Sequence, residues 1–301
     1  MFKNISIIGC GLIGSSILRA INKNESSSHV TVYDKSEKVL SYLKEEKLCI
    51  NVSKDIVSAV KNADLIIISA PLSSYKEILV SIKDDLKKNS ILTDTGSAKK
   101  EVNKIIDNLN LKDVSWIASH PIAGTEDSGP KAGFAEIFID RWCIVSPSEN
   151  AKLEDVEKIK KFWESFKSKV KIMSFSEHDH ILSLTSHLPH AIAYNIVRTA
   201  LNNGDKFKQE VIQYSAGGLR DFTRIAASDP IMWKDIFIDN SENILKVLDS
   251  FSNNLEDMKI AIKEKNANKL VKMFSATKDV RKEIIEAGQD TKKPDFGRKK
   301  N

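Results

Sequence analysis

Cysteine is scarce in this chain. Its 301 residues hold three, Cys10, Cys49 and Cys143, odd in number and too scattered to form a CxxC pair. That excludes a disulfide-stapled secreted scaffold and a cysteine-built zinc site, and it leads to an expectation of reduced thiols in a cytoplasmic protein. Long apolar runs are missing as well. The longest, Leu65 to Leu72, is interrupted by Ser69 and is far shorter than the ~20 residues of a spanning helix. Met1-Phe2-Lys3 leads directly into a strand, so no signal peptide is expected. Nor is there a basic stripe interleaved with aromatics. Aromatic residues make up 7%, and 46 Lys and Arg against 41 Asp and Glu leave a net charge of only +5. The balance suits steering of a small anionic molecule rather than nucleic-acid binding. The densest basic run, Lys292 to Lys300, reads as a solvated tail. The expected partners are therefore a small-molecule substrate, with no nucleic acid and no membrane.

Apolar content of 41% and charged content of 29% are those of a globular chain long enough for two cores. In the first half, short β-rich runs (Ile5–Ile8, Val30–Tyr33, Leu65–Ser69, Ile91–Thr93, Trp116–Ala118, Cys143–Val145, Val170–Met173) alternate with helical stretches (Ile13–Ile21, Glu37–Glu46, Tyr75–Leu86, Lys99–Leu109, Leu153–Phe166). Ser74-x-x-Glu77 reads as a capping box for the third of these helices. Continuous apolar strands separated by helices predict an α/β fold, a Rossmann-type doubly wound parallel sheet over residues 1–173. After Phe175 the strand signal stops. Ile181–Val197, Pro230–Phe251 and Leu255–Ile285 read as helices, giving an all-α second domain over 174–290 and a basic tail over 291–301. Asp229-Pro230 is a helix start, with Asp as cap. Ile244, Leu248, Phe251, Leu255, Met258 and Ile262 step by four and three, a seam that either packs inside the chain or, as expected here, pairs helices across a homodimer.

Gly9-Cys10-Gly11-Leu12-Ile13-Gly14 follows the first strand and opens the first helix. The spacing suits a dinucleotide pyrophosphate lying on a helix N-terminus. Asp34, twenty residues beyond Gly14, closes the second strand, where an acid accepts from the ribose 2′-hydroxyl and repels a 2′-phosphate. NAD is therefore the expected cofactor, with Lys35 leaving some use of NADP open. Ala70-Pro71 ends the next strand, where the nicotinamide half of a dinucleotide would lie. Ser97 follows another strand end and is either a helix cap or a hydrogen-bond donor to substrate or base. Ser119-His120-Pro121-Ile122-Ala123-Gly124-Thr125-Glu126 puts one histidine at the end of a buried strand. A neutral imidazole there can take the proton of a hydroxyl whose carbon gives up hydride. Thr125 and Glu126 are candidate substrate contacts.

His178, His180, His187 and His190 invite a metal reading, but Pro189 interrupts their helix and no cysteine or tight carboxylate set accompanies them. No metal is expected, and His187 and His190 are taken as pocket-lining. Ser215 to Arg224 reads as a glycine-softened turn ending in an arginine whose planar fork suits a carboxylate.

These motifs together resemble the prephenate dehydrogenase family, with its arogenate and cyclohexadienyl variants. The resemblance rests on the glycine fingerprint, Asp94 to Lys99, Ser119 to Gly129, Ser186-His187-Leu188-Pro189-His190, and Gly217 through Asp221-Phe222-Thr223-Arg224 to Asp229-Pro230-Ile231-Met232-Trp233. It implies an N-terminal NAD domain and a helical dimerising domain. It also implies His120 as proton acceptor, Ser97 as its hydrogen-bonding serine and Arg224 as carboxylate holder. Glu126, His190, Gly217 and Asp221 match further pocket positions. Many members carry an appended mutase or regulatory domain, for which no room is expected here. The implied activity is oxidative decarboxylation of prephenate, or of arogenate, in tyrosine biosynthesis. The rival readings are another hydroxy-acid dehydrogenase with a helical second domain and a non-enzymatic NAD-sensing dimer.

Overall fold

Eight β-rich runs pair into one sheet in the computed structural model, which describes residues 2–24, 28–49, 51–125, 127–202 and 205–288. In chain order its elements are β1 (Asn4–Ile8), α1 (Leu12–Lys23), β2 (His29–Tyr33), α2 (Glu37–Glu45), β3 (Asn51–Ser53), α3 (Ile56–Val60), β4 (Leu65–Ile68), α4 (Tyr75–Ile82), β5 (Ile91–Asp94), α5 (Lys100–Leu109), β6 (Ser115–Pro121), β7 (Trp142–Pro147), α6 (Leu153–Ser165) and β8 (Lys169–Ile172). The strand order is β3-β2-β1-β4-β5-β6-β7-β8. β1 has β2 on one side and β4 on the other, so the order reverses there, and ligands of such sheets sit beyond the strand ends at that point. All four residues of β4 are fully buried, as helices covering both faces demand.

The sheet departs from the expected all-parallel arrangement at one joint. β7 runs antiparallel to β6, because the connection between them contains only two short 3₁₀ turns, Pro130–Ala132 and Ala135–Phe138, and a parallel crossover needs a longer helical return. The short β3 and α3 carried too little apolar pattern to be expected. Ser74 makes no capping hydrogen bond; among the described residues a capping box forms instead at Ser174 with Glu177.

Beyond the sheet come α7 (Phe175–Leu182), a π-helical turn at Ser183–His187, α8 (Leu188–Leu201), α9 (Asp205–Gln213), α10 (Gly217–Arg224), α11 (Pro230–Asp239), α12 (Ser241–Lys263) and α13 (Ala267–Glu286). The π turn precedes Pro189, which has no N–H to offer the carbonyl four residues back, so the helix widens rather than closing its ladder. The stretch read as a turn before Arg224 is helix α10. The helix expected over Pro230–Phe251 breaks at Asn240, and the next break falls at 264–266 rather than near 252. Asp229 does cap α11, accepting from the N–H groups of Ile231 and Met232. α11 packs on the sheet through Trp233 and Ile236, and its Asp235 accepts from the N–H of Ser73 at 3.1 Å.

The chain divides into two units, one ending at Ile244 and one beginning at Leu245. In the second unit, Leu255, Ile262, Val271, Phe274, Val280 and Ile284 remain exposed. No helix among the described residues is long and apolar enough to cross a membrane.

Candidate active site

The β1–α1 turn is shaped by three glycines with three different surroundings. Gly9 has φ +87°, and a Cβ on it would lie 2.7 Å from the Ser69 carbonyl oxygen and 2.9 Å from the Ala70 nitrogen. A Cβ on Gly14 would lie 2.2 Å from the Gly9 carbonyl oxygen. Around Gly11 a Cβ would meet nothing within 4 Å. The first N–H groups of α1, at Leu12, Ile13 and Gly14, have no helical acceptor, and no side chain caps them. This open, positive helix end fits a pyrophosphate. Just past β2, Asp34 accepts from the N–H of Cys10 and of Ser36, each at 2.8 Å. The same carboxylate thereby braces the glycine turn and stands where ribose hydroxyls would lie. Ala70 and Pro71 leave β4 beside Gly9.

Sequence reasoning missed how the loop after His120 is held. Arg19 on α1 donates to the Gly133 carbonyl at 2.8 Å, the Phe134 N–H donates to Ser16 Oγ at 3.1 Å, and Ser15 Oγ donates to the Pro130 carbonyl at 3.3 Å. Residues 130–134 are thereby stapled to α1.

His120, near the end of β6, is 8% exposed. Its Nδ1 lies 2.8 Å from Nε2 of His178, whose Nδ1 lies 2.7 Å from Asp179 Oδ1. Both partners are fully buried. Nε2 of His120 has no protein partner among the described residues. Burial, then the charges at His178, Lys99 and His187, hold the His120 imidazole well below the ordinary histidine range. It is neutral near pH 7.

Beneath His120 lies a fully buried ion pair. Lys99 Nζ donates to both Asp94 oxygens, at 2.7 and 2.6 Å, and to the Ser119 carbonyl at 2.6 Å. Asp94 also accepts from the N–H of Ser119 at 3.1 Å, from Gly96 at 3.0 Å and from the Tyr75 hydroxyl at 3.2 Å. Ser119 is thus gripped at both backbone groups, immediately before the histidine. Burial pushes Asp94 up and Lys99 down, yet every donor and acceptor of the pair is met. Ser97, half-buried in the β5–α5 loop, neither caps α5 nor bonds His120. The N–H groups at the start of α5, of Lys99 and Lys100, go to Asp179, both at 2.9 Å.

On the helical side, Asn240 donates to the Asp179 carbonyl at 2.8 Å and to His187 Nδ1 at 3.1 Å. His187 then carries its hydrogen on Nε2, which is buried without a partner; burial pushes its pKa down to about 4. His190 donates from Nδ1 to the Ser186 carbonyl at 2.9 Å and stacks on Trp233 with ring centres 3.6 Å apart. Burial lowers the His190 pKa and the nearby Arg224 charge lowers it further. His120, His187, His190 and Arg224 therefore form one electrostatic neighbourhood, each perturbing the next. Arg224 and Gly217 are exposed on α10, with Asp221 half-buried between them. Thr125 is exposed, and its hydroxyl accepts from the Asp127 N–H. Glu126 and the tail over 291–301 lie outside the described residues. No group of three or more metal-ligating residues forms among the described residues.

Asp94, Lys99, His178, Asp179, Trp233 and Asn240 also enter the network around His120 and His190, places not read from the sequence. Asp94, Lys99 and Trp233 stood only within the motifs of the resemblance and His178 only among candidate metal ligands; for Asp179 the signal was the run Glu177-His178-Asp179-His180, too short to separate a buried orienting pair from a surface turn.

Residues 17–172 match the model for the prephenate dehydrogenase nucleotide-binding domain, and residues 174–276 match that for the prephenate dehydrogenase dimerization domain. The cyclohexadienyl dehydrogenase of Zymomonas mobilis is 39% identical, over 93% of this chain and 96% of that protein. The prephenate dehydrogenase of Bacillus subtilis is 29% identical, over 93% and 76%. The crystal structure of prephenate dehydrogenase from Aquifex aeolicus, in complex with hydroxyphenyl propionate and NAD+, superposes with a TM-score of 0.87 at 29% identity, covering 94% of this chain and 99% of that one.

Proposed function

Because the chain belongs to the prephenate dehydrogenase family, we propose that it oxidatively decarboxylates prephenate to 4-hydroxyphenylpyruvate, or arogenate to tyrosine, with His120 as the proton acceptor. It is an NAD-dependent dehydrogenase of tyrosine biosynthesis. The observation that carries the residue assignment is the buried, neutral His120, with Nδ1 engaged by His178 and Nε2 left to face a substrate.

Bound NAD supplies the hydride acceptor. The chain's own groups do the rest. Gly9, Gly11, Leu12, Ile13 and Gly14 receive the pyrophosphate, Asp34 the ribose, and Ala70 and Pro71 border the nicotinamide side. His120 Nε2 accepts the proton of the ring hydroxyl as its carbon loses hydride. The bond to the ring carboxylate then breaks, carbon dioxide leaves, and its electron pair completes the aromatic ring. The proton on His120 returns to the resulting phenolate oxygen, so the base ends the cycle neutral. Aromatisation drives the step, and alignment is the main demand on the protein. Ser97 donates to the reacting hydroxyl. Arg224 pairs with a substrate carboxylate, and His187, with its unpartnered Nε2–H, and His190, Thr125, Gly217 and Asp221 line the pocket.

The chain is further proposed to work as a homodimer through its C-terminal helices. The apolar residues left exposed from Leu245 onward and the match to a dimerization domain support this. Three buried free thiols suit a reducing cytoplasm. NADH absorbance with prephenate or arogenate, each with NAD or NADP, tests the function. Turnover of either acid with NAD is expected, and no turnover with both would overturn it.

A further inference from the structure

We propose that His178 and Asp179 are positioning residues that fix the tautomer of the base and tie it to the loop carrying Ser97. The inference rests on the reading of His120 as proton acceptor, and it concerns how the protein keeps the correct nitrogen bare.

One line of groups fixes the place of every hydrogen in turn. Asp179 accepts from the N–H of Lys99, the N–H of Lys100 and the His178 ring. Burial raises the Asp179 carboxyl above its ordinary range, but the two backbone groups can only donate, and together with the α5 N-terminus they favour the carboxylate. A carboxylate cannot donate, so His178 must present N–H from Nδ1, and its Nε2 is a lone pair. Against that lone pair, 2.8 Å away, His120 must present N–H from Nδ1. Its own Nε2 is then bare and can act as the base. Reversing any hydrogen in the line puts a hydrogen on His120 Nε2 and disables it.

The line is not a proton exit. His178 and Asp179 are both fully buried, so a proton taken from substrate cannot leave by that route. It stays on His120 and returns to the product oxygen, while the Asp179 charge two rings away favours the transient imidazolium. The other charged or titratable groups facing His120 are Lys99, with Asp94 behind it, and His187. One carboxylate thus sets the orientation of the base on β6 and seats the start of α5, which follows Ser97. A second helix, α11, locks the arrangement through Asn240, which closes it and donates to the Asp179 carbonyl.

Three readouts test the proposal. Nitrogen chemical shifts of the imidazoles, assigned by the loss of signals in His120→Asn and His178→Asn, should show the unliganded wild type with hydrogen on Nδ1 of both His120 and His178 near pH 7. Asp179→Asn offers an amide N–H to His178 and should move both hydrogens to Nε2. It should lower kcat ~10²–10⁴-fold, the scale on which a mis-set base loses catalysis, with KM for prephenate and NAD within about threefold of wild type. His178→Gln, whose amide oxygen can still accept from His120, should keep kcat within about tenfold, whereas His178→Leu should not. A wild-type His120 carrying its hydrogen on Nε2, or His178→Leu with wild-type kcat, would overturn the proposal. The wild-type spectrum decides even if Asp179→Asn fails to fold. Failure of the underlying reading looks different: His120→Asn would then keep its turnover while the wild-type shifts still place hydrogen on Nδ1 of both rings.

Discussion

Replacing Lys99 by methionine removes one end of the ion pair beneath β6 and leaves the other end in place. Both side chains are fully buried, with Nζ 2.7 and 2.6 Å from the Asp94 oxygens. At an effective dielectric near 20, that separation corresponds to an attraction of about 6 kcal/mol. Relief of the lysine's own desolvation takes back part of it, so the loss expected for stranding a buried carboxylate is about 3–5 kcal/mol. Denaturant unfolding of the sheet domain, followed by fluorescence of buried Trp116 and Trp163, measures it. Asp94→Asn in the Lys99→Met background removes the stranded charge and should recover at least half of the loss. The pH dependence has a definite sign. In the single variant the folded-state pKa of Asp94 rises further above its unfolded value. Protonation then relieves the native state, and the deficit shrinks as pH falls from 8 toward 5. A Lys99→Met protein within about 1 kcal/mol of wild type at pH 7, or a double variant no more stable than the single one, would refute the reasoning.

The remaining expectations concern the ends of the site. Arg224→Ala should raise prephenate KM ~10–100-fold, the range for a charged hydrogen bond at an exposed position, with kcat little changed; an unaltered KM would assign the carboxylate to another residue. Asp34→Ser should raise the KM for NAD about tenfold and narrow the preference over NADP, read from initial rates with each nucleotide, and an unchanged preference would remove Asp34 from ribose recognition. Because burial and neighbouring charges hold His120 far below its usual range, the acid limb of kcat/KM should lie well below pH 6.5; an inflection at or above that value would contradict a buried neutral base. His187, lowered by burial to about 4, adds stability that is present above about pH 6.5 and is lost as pH falls toward about 4, because the unfolded chain takes up that proton first; His178, lowered by burial as well, acts with the same sign.

How much of this was legible in the sequence follows from the range of the forces involved. The glycine turn was legible because Gly9 and Gly14 meet steric limits within a few residues or at a neighbouring strand end, and the apolar runs of β1, β4 and β5 announce buried strands. His120 stood out because a histidine closing such a strand has few structural uses. The reversal at β7 was not legible, since it depends on how a connection without a true helix packs against α1 through Arg19 and Ser16. The break at Asn240 was hidden because Asn243, Ile244 and the residues around them continue the helical period, and only the side-chain bonds of Asn240 to Asp179 and His187 show why the chain turns there. His178 and Asp179 were hidden for the same reason. Their meaning lies in groups 58 residues away in the chain at His120 and 80 away at Lys99, and no local pattern encodes that. The lysine of Asp94-Thr95-Gly96-Ser97-Ala98-Lys99 had no role of its own in the motif, and its full burial against Asp94 is a tertiary fact that the local pattern does not carry.

The central claim is that one neutral imidazole, His120, takes the substrate proton. Single-turnover rates of His120→Asn with prephenate and saturating NAD, alongside a titration of NAD binding to the same variant, test it most directly. The account predicts a ~10²–10⁴-fold slower turnover with nucleotide affinity retained, and turnover near the wild-type rate would contradict it.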